Sequence, residues 1–268
     1  MAGTRSPLID AVTYYRDLGV RELWIAESQA AAPPPTAVAA APPPIAVAAP
    51  QPVAVAVAVE PAPPATAPLP TLGELAALVA GCRRCGLCET RTQTVFADGP
   101  IRARIFFLGE APGADEDAQG IPFVGKAGQL LTKMIENGMG IPRRDVYIAN
   151  VLKCRPPGNR NPEPAEIEQC RGYLERQIEL VAPDAIVALG NFAARFLLGT
   201  EEGIMRLRGR WGSYRGIPVM PTFHPSFLLR SPEKKKEAWS DLLEVMKKVG
   251  LPLPTAAPRA PRETAEPE

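Results

Sequence analysis

Four short apolar runs constrain this chain more than any other feature: residues 104–109 (RIFFLG), 146–150 (VYIAN), 185–190 (AIVALG) and 218–223 (PVMPTF). Each is rich in β-branched or aromatic residues and apolar at successive positions, as strands buried on both faces are. Helical patterns lie between them at residues 125–136, 164–181 and 192–198, and an amphipathic run at 233–249 follows the last. Strand alternating with helix predicts an α/β fold whose parallel sheet is covered on both faces. Such sheets bind ligands beyond the carboxyl ends of their strands. The residues at those ends are Gly109-Glu110-Ala111, Asn150, Gly190-Asn191 and His224-Pro225. Glu110, Asn150 and His224 are therefore expected to converge, and His224 is the sole histidine of the chain.

The flanks add little to a core. Residues 31–70 hold 13 prolines, no glycine and one charged residue, Glu60. They read as an extended Pro/Ala-rich, disordered linker, because proline interrupts the alternating valines throughout. Before it, within residues 1–30, positions 7–27 form an amphipathic helix pattern with Leu8, Val12, Tyr15, Leu18 and Leu23 on one side. That side needs a surface to cover it, either the main domain or a protein partner. Asp10, Arg16, Asp17 and Arg21 break any export-signal core, and no run approaches membrane-spanning length. The expectation is a cytoplasmic protein with no membrane contact, acting as a monomer. Residues 251–268 read as a disordered tail, leaving 71–250 as the folded domain. That domain carries 25 Lys+Arg against 21 Asp+Glu, a difference of +4 that does not by itself demand nucleic acid.

Five cysteines occur, Cys82, Cys85 and Cys88 in C-x2-C-x2-C and then Cys154 and Cys170. Without an export signal, disulfides are not expected. C-x2-C is a chelating spacing, and the set suits either a zinc ion or a [4Fe-4S] cluster.

Taken together, GEAPG (109–113), GIPFVGKAGQLL (120–131), VYIANVLKCRPPGNR (146–160), IVALGNFAARFLLG (186–199) and HPSFLLR (224–230) resemble family 4 uracil-DNA glycosylases, the iron–sulfur type. The resemblance runs from about Leu72 to Val249. It implies a three-layer α/β/α sandwich around a four-stranded parallel sheet, with a [4Fe-4S] cluster at one side held by Cys82, Cys85, Cys154 and Cys170. It also implies base-excision repair: uracil-containing DNA, single- or double-stranded, as partner, base flipping, and hydrolysis of the N-glycosidic bond.

The resemblance further assigns roles. His224 donates a hydrogen bond to uracil O2 as negative charge develops on the leaving base. Asn150 reads N3–H and O4, a pattern that cytosine inverts. Phe123 stacks on the flipped ring, Glu116 crowds C5 against a thymine methyl, and backbone amides of Gly109 to Ala111 touch the base. Glu110 positions water or balances the cationic sugar, and Asn159 is a second candidate for that positioning. Pro225 and Ser226 meet a phosphate through backbone amides, while Leu228 or Leu229 wedges into the base stack. Arg230 and Lys234 to Lys236 hold the phosphate backbone. Two other readings stay open. One is a covalent, non-turnover uracil-DNA binder, which carries a histidine-containing insertion that PPGNRNPEP (156–164) lacks. The other is a non-catalytic, polymerase-associated iron–sulfur or zinc module.

Overall fold

The computed structural model describes residues 70–253. The expected N-terminal helix, nearly all of the linker, and the tail beyond 253 lie outside the described residues.

Helix α1 (Leu72–Ala80) opens on a capping box in which Thr71 Oγ1 accepts from Glu74 N at 3.3 Å and Glu74 accepts from Thr71 N at 2.8 Å. The pair satisfies N–H groups that the first turn of a helix leaves unpaired. The strands are β1 (Ile105–Gly109), β2 (Tyr147–Asn150), β3 (Ala185–Leu189), β4 (Gly212–Tyr214) and β5 (Ile217–Thr222). Between β1 and β2 lie α2 (Ala114–Gln119) and α3 (Lys126–Lys133). Then α4 (Pro164–Val181) precedes β3, α5 (Gly190–Leu198) and α6 (Ile204–Leu207) precede β4, and α7 (Pro225–Arg230) and α8 (Lys235–Lys248) follow β5.

The sheet order is β2-β1-β3-β5-β4. The four expected strands pair in parallel, and the sheet has five strands rather than four. The extra one, β4, is a three-residue antiparallel edge strand turned back onto β5. Alternate residues of each strand face opposite layers, as the pleat requires. Phe106, Leu108, Ile186 and Ala188 pack with Leu174 and Ile178 of α4 and with Ala193 and Ala194 of α5. On the other side, Ile105, Phe107, Val187 and Leu189 pack with Leu131 of α3 and with Leu242 and Val245 of α8. The three-layer α/β/α order follows from these two cores. Each fully buried aliphatic side chain adds roughly 1.5–3 kcal/mol.

Helix boundaries differ in three places, one being α5, which begins at Gly190 rather than at 192. The run 125–136 divides into α3 and a wider π-helical turn, Met134–Met139, ended by left-handed Gly140. The run 233–249 begins with a 3-10 turn, Pro232–Lys234, before α8. All four parallel strands deliver their C-terminal ends to the same edge, and the site lies there.

Candidate active site

Gly109 ends β1, Asn150 ends β2, and the two residues are register partners. A Cβ on Gly109 would meet Asn150 Oδ1 and would come within 2.5 Å of Phe123 Cζ. Only glycine fits here, so the absence of a side chain at 109 lets an amide and an aromatic ring close directly onto the end of β1. Phe123 in turn faces His224, with ring centroids 5.6 Å apart and planes 37° apart. Asn150 Oδ1 is buried and has no hydrogen-bond partner. Leaving such a group unpaired costs roughly 1–3 kcal/mol, and here the orphan acceptor lies at the strand ends beside Gly109.

His224 is the N-cap of α7, with Pro225 at the first helical position. Its Nδ1 accepts from Ser226 N at 3.2 Å and lies 2.7 Å from Ser226 Oγ. A ring nitrogen that accepts a backbone N–H carries no proton of its own, so the neutral imidazole holds its proton on Nε2. Burial, then the nearby Arg230 charge, pushes the His224 pKa down to about 4, against an opposing pull from Glu116. The ring is thus a neutral donor.

Glu110 is half-buried, and burial raises its pKa to about 7. Its backbone is fixed because the ladder continues past the strand ends: Val151 N donates to Gly109 O and Leu152 N to Glu110 O, both at 3.0 Å. Ala111 follows and packs against Leu87, Leu152, Cys154 and Cys170. Gly109, Phe123, Asn150 and His224 are therefore brought together, with Glu110 on the segment that leaves Gly109.

Other expected residues stand differently. The Glu116 carboxylate accepts N–H groups of Gly113, Val124 and Gly125, each at 3.0 Å, so it orders the loop that carries Phe123. Asn159 sits on an exposed turn (Pro157–Asn159), where its Oδ1 accepts from Arg155 Nε at 2.7 Å; no contact joins it to the four converging residues. Leu228 is 0% exposed and packs with Phe223 and Ala238, whereas Leu229 is 43% exposed. Of the two expected wedges only Leu229 projects outward, because α7 turns Leu228 into the core. Pro225 is buried, Ser226 is half-buried beneath the His224 ring, and Arg230, Lys235 and Lys236 are exposed. The Arg208 guanidinium pairs with buried Asp241, which also accepts from Thr222 Oγ1 at 2.6 Å.

The five cysteines, none in a disulfide, line one small cavity together with Arg91, Lys153 and Tyr173. Cys154 and Cys170 are buried, while Cys82, Cys85 and Cys88 are half-buried. Arg91 Nη1 donates to Cys154 Sγ at 3.1 Å, and its Nη2 donates to Cys82 O at 2.7 Å. Lys153 is buried, and its Nζ donates to Asn150 O at 2.7 Å. Burial pushes the Cys154 thiol up to about 11, against the lowering influence of Arg91. Soft thiol donors around one cavity with two cations beside them fit an anionic, thiolate-held metal group. Cys88 borders the same cavity as the other four. Among the described residues no three His, Cys, Asp or Glu side chains converge on a single-ion position.

Arg91, Lys153 and Arg143 were not singled out from the sequence. Arg91 lies three positions after Cys88 and Lys153 directly before Cys154, adjacency that flags a cation near a thiol but not its burial.

Residues 96–243 match the model of the uracil DNA glycosylase superfamily. The site therefore stands in a fold shared by that superfamily. The chain is 43% identical to a type-4 uracil-DNA glycosylase of Archaeoglobus fulgidus over 69% of this chain and 96% of that protein. It is 48% identical to one of Thermotoga maritima over 57% of this chain and 80% of that protein. A third, from Sulfurisphaera tokodaii, is 40% identical over 65% of this chain and 83% of that protein. The chain belongs to the type-4 uracil-DNA glycosylase family. Among the described residues no helix is long and apolar enough to cross a membrane.

Proposed function

We propose that the chain removes uracil from DNA, hydrolysing the N-glycosidic bond of a flipped deoxyuridine and leaving an abasic site. The observation that carries this reading is the unpaired, buried Asn150 Oδ1 beside Gly109, which with Phe123 and His224 would form the base pocket. A base inside a duplex has no access to such a pocket, so the nucleotide must leave the stack. Phe123 then covers one face of the uracil ring. The Asn150 amide accepts from N3–H and donates to O4; cytosine carries no N3–H and presents an amine at position 4, which leaves both amide groups mismatched.

As the glycosidic bond breaks, its electron pair moves onto the uracil ring and O2 becomes the chief site of negative charge. Nε2–H of neutral His224 donates to that oxygen, a donor held in place before the reaction by Ser226. Glu110 as a carboxylate stabilises the cationic sugar and orients the water that adds to C1′. Backbone amides of Gly109 to Ala111 border the base. Leu229 fills the space left by the extruded nucleotide, while Arg230, Lys235 and Lys236 with the α7 N-terminus hold phosphates.

The thiol cavity supports a [4Fe-4S] cluster on Cys82, Cys85, Cys154 and Cys170, since each iron of a cube takes one thiolate. Such a group, when bound, would tie together the 82–88 loop, the 154 segment and α4. Arg91 and Lys153 offset its negative charge. On this reading the protein works on DNA in the cytoplasm.

One preparation tests both parts. Excision of uracil from a labelled oligonucleotide is expected alongside a brown visible absorbance. No abasic product under any condition defeats the glycosylase reading. Loss of colour in Cys170→Ser with retention in Cys88→Ser is expected from the four ligands named, and the reverse pattern defeats that assignment.

A further inference from the structure

Phe123 holds φ 55, left-handed backbone that a bulky side chain adopts only where its surroundings over-determine it. The constraint comes from two sides. On the C-terminal flank the Glu116 carboxylate takes the amides of Val124 and Gly125. On the other flank stands Arg143. Its Nη2 donates to Pro122 O at 2.7 Å, and its Nη1 donates to Phe123 O at 3.1 Å and to Thr132 Oγ1 at 3.0 Å. Its remaining donor, Nε, reaches Asp98 Oδ2 at 3.1 Å.

Asp98 is itself locked to β2. Asp98 N donates to Ile148 O at 2.9 Å, and Ile148 N donates to Asp98 O at 2.8 Å. Ile148 lies two residues before Asn150 on the same strand. One guanidinium thus links the loop bearing Phe123 to the strand bearing Asn150, and Phe123 and Asn150 are the residues that meet around Gly109. The adjacent Arg144 shows what an ordinary surface arginine looks like here: its side chain is 86% exposed, against 16% for Arg143. A guanidinium suits this position because its fork can serve two backbone carbonyls, a hydroxyl and a carboxylate at once, which a lysine cannot.

We propose that Arg143 is a positioning residue that sets the distance between the two walls of the base pocket, and so the enzyme's hold on uracil. The inference rests on the reading in which Phe123 stacks on the base and Asn150 reads its edge. Arg143 touches neither substrate nor reacting atoms; it acts through the carbonyls of Pro122 and Phe123, one on each side of the Phe123 Cα, and through Asp98.

The test uses Arg143→Met, Arg143→Lys and Asp98→Asn in the full chain, each assayed well below its own unfolding temperature. Because His224 is the only histidine, its imidazole gives a single Cε1–H resonance, and the Phe123 ring 5.6 Å away shifts it. In Arg143→Met that resonance is expected to move toward its position in Phe123→Leu. Arg143→Lys and Asp98→Asn should fall between. In excision assays Arg143→Met should lose on the order of 100-fold in kcat/KM, as misplaced contacts do, with most of the loss in KM rather than in the single-turnover rate. Arg143→Lys should recover part of it. A folded Arg143→Met with the wild-type resonance and KM overturns the proposal; if that variant does not fold, unchanged values in both Arg143→Lys and Asp98→Asn do the same. Failure of the wild type to excise uracil counts instead against the glycosylase reading, and the resonance still reports whether Arg143 holds the loop.

Discussion

The backbone N–H of Ser226 donates to Nδ1 of His224 at 3.2 Å, so the residue two positions along the chain selects the tautomer of the only imidazole. His224→Gln keeps a donor but loses this geometry. Single-turnover excision is expected to fall on the order of 100- to 1000-fold, the cost of one oxyanion-type donor, with the visible absorbance unchanged. The His224 pKa of about 4 lies below its ordinary 6.5. Between those values the unfolded chain takes up a proton that the folded one refuses, so acidification through this window lowers stability. The imidazole resonance should not titrate between about pH 5.5 and about pH 8. A midpoint near neutrality defeats the assignment.

Asn150 sets base recognition against stability. In Asn150→Leu the buried, unpaired oxygen is gone, and such an oxygen costs roughly 1–3 kcal/mol. The midpoint of thermal unfolding should hold or rise while affinity for free uracil disappears. Gly109→Ala should also abolish uracil binding, because its new methyl clashes with both Asn150 Oδ1 and the Phe123 ring and displaces them. Calorimetric unfolding and uracil inhibition of excision, measured together, check both variants.

Glu110 has its pKa raised from 4.5 to about 7 by burial. If the carboxylate form acts on the sugar, single-turnover excision rises as pH passes upward through about 7. Glu110→Gln should be slower and flat across that range. The stability effect has the opposite sign. A raised acid pKa contributes stability below pH 4.5 that is lost as pH rises through about 7. The wild-type unfolding midpoint should therefore drop relative to Glu110→Gln between those values.

Neighbouring leucines on α7 should separate folding from DNA handling. Leu228→Ala empties a filled core position and is expected to cost about 2–5 kcal/mol of stability. Leu229→Ala should leave unfolding within about 0.5 kcal/mol of wild type, as surface changes do. It should slow excision from duplex DNA more than from single strands, where no stack needs holding open. Equal slowing on both substrates removes Leu229 from the wedge role.

The parallel strands and the residues at their ends were legible because buried strands write continuous apolar runs and α/β sheets collect sites at one edge. Strand β4 was not, since Gly212–Tyr214 is three residues long, partly exposed and set between turn-forming residues. Helix α7 was also missed: Pro225 looks like an interruption after a strand, whereas it occupies the first helical position, where proline's missing N–H costs nothing. Its helical turn decides which leucine faces outward, a distinction the pair Leu228-Leu229 cannot carry in one dimension. Arg143 and Arg144 are likewise identical as letters. Only tertiary packing sends one to two backbone carbonyls and leaves the other in solvent. That Glu116 collects three amides was not legible either, because it depends on the unpaired N–H groups that the fold brings beside its carboxylate.

Lys153 reaches from the cysteine cavity to the carbonyl of Asn150, and only three residues of chain separate Asn150 from Cys154. The segment proposed to read the base therefore cannot be built independently of the segment proposed to hold the metal group. On the iron–sulfur reading, a cell starved of iron, or one whose clusters are destroyed by oxidants, loses uracil repair by misfolding of this segment rather than by any change in chemistry at the bond. Mutation from cytosine deamination would then rise with nutritional iron limitation, even where the protein itself remains abundant.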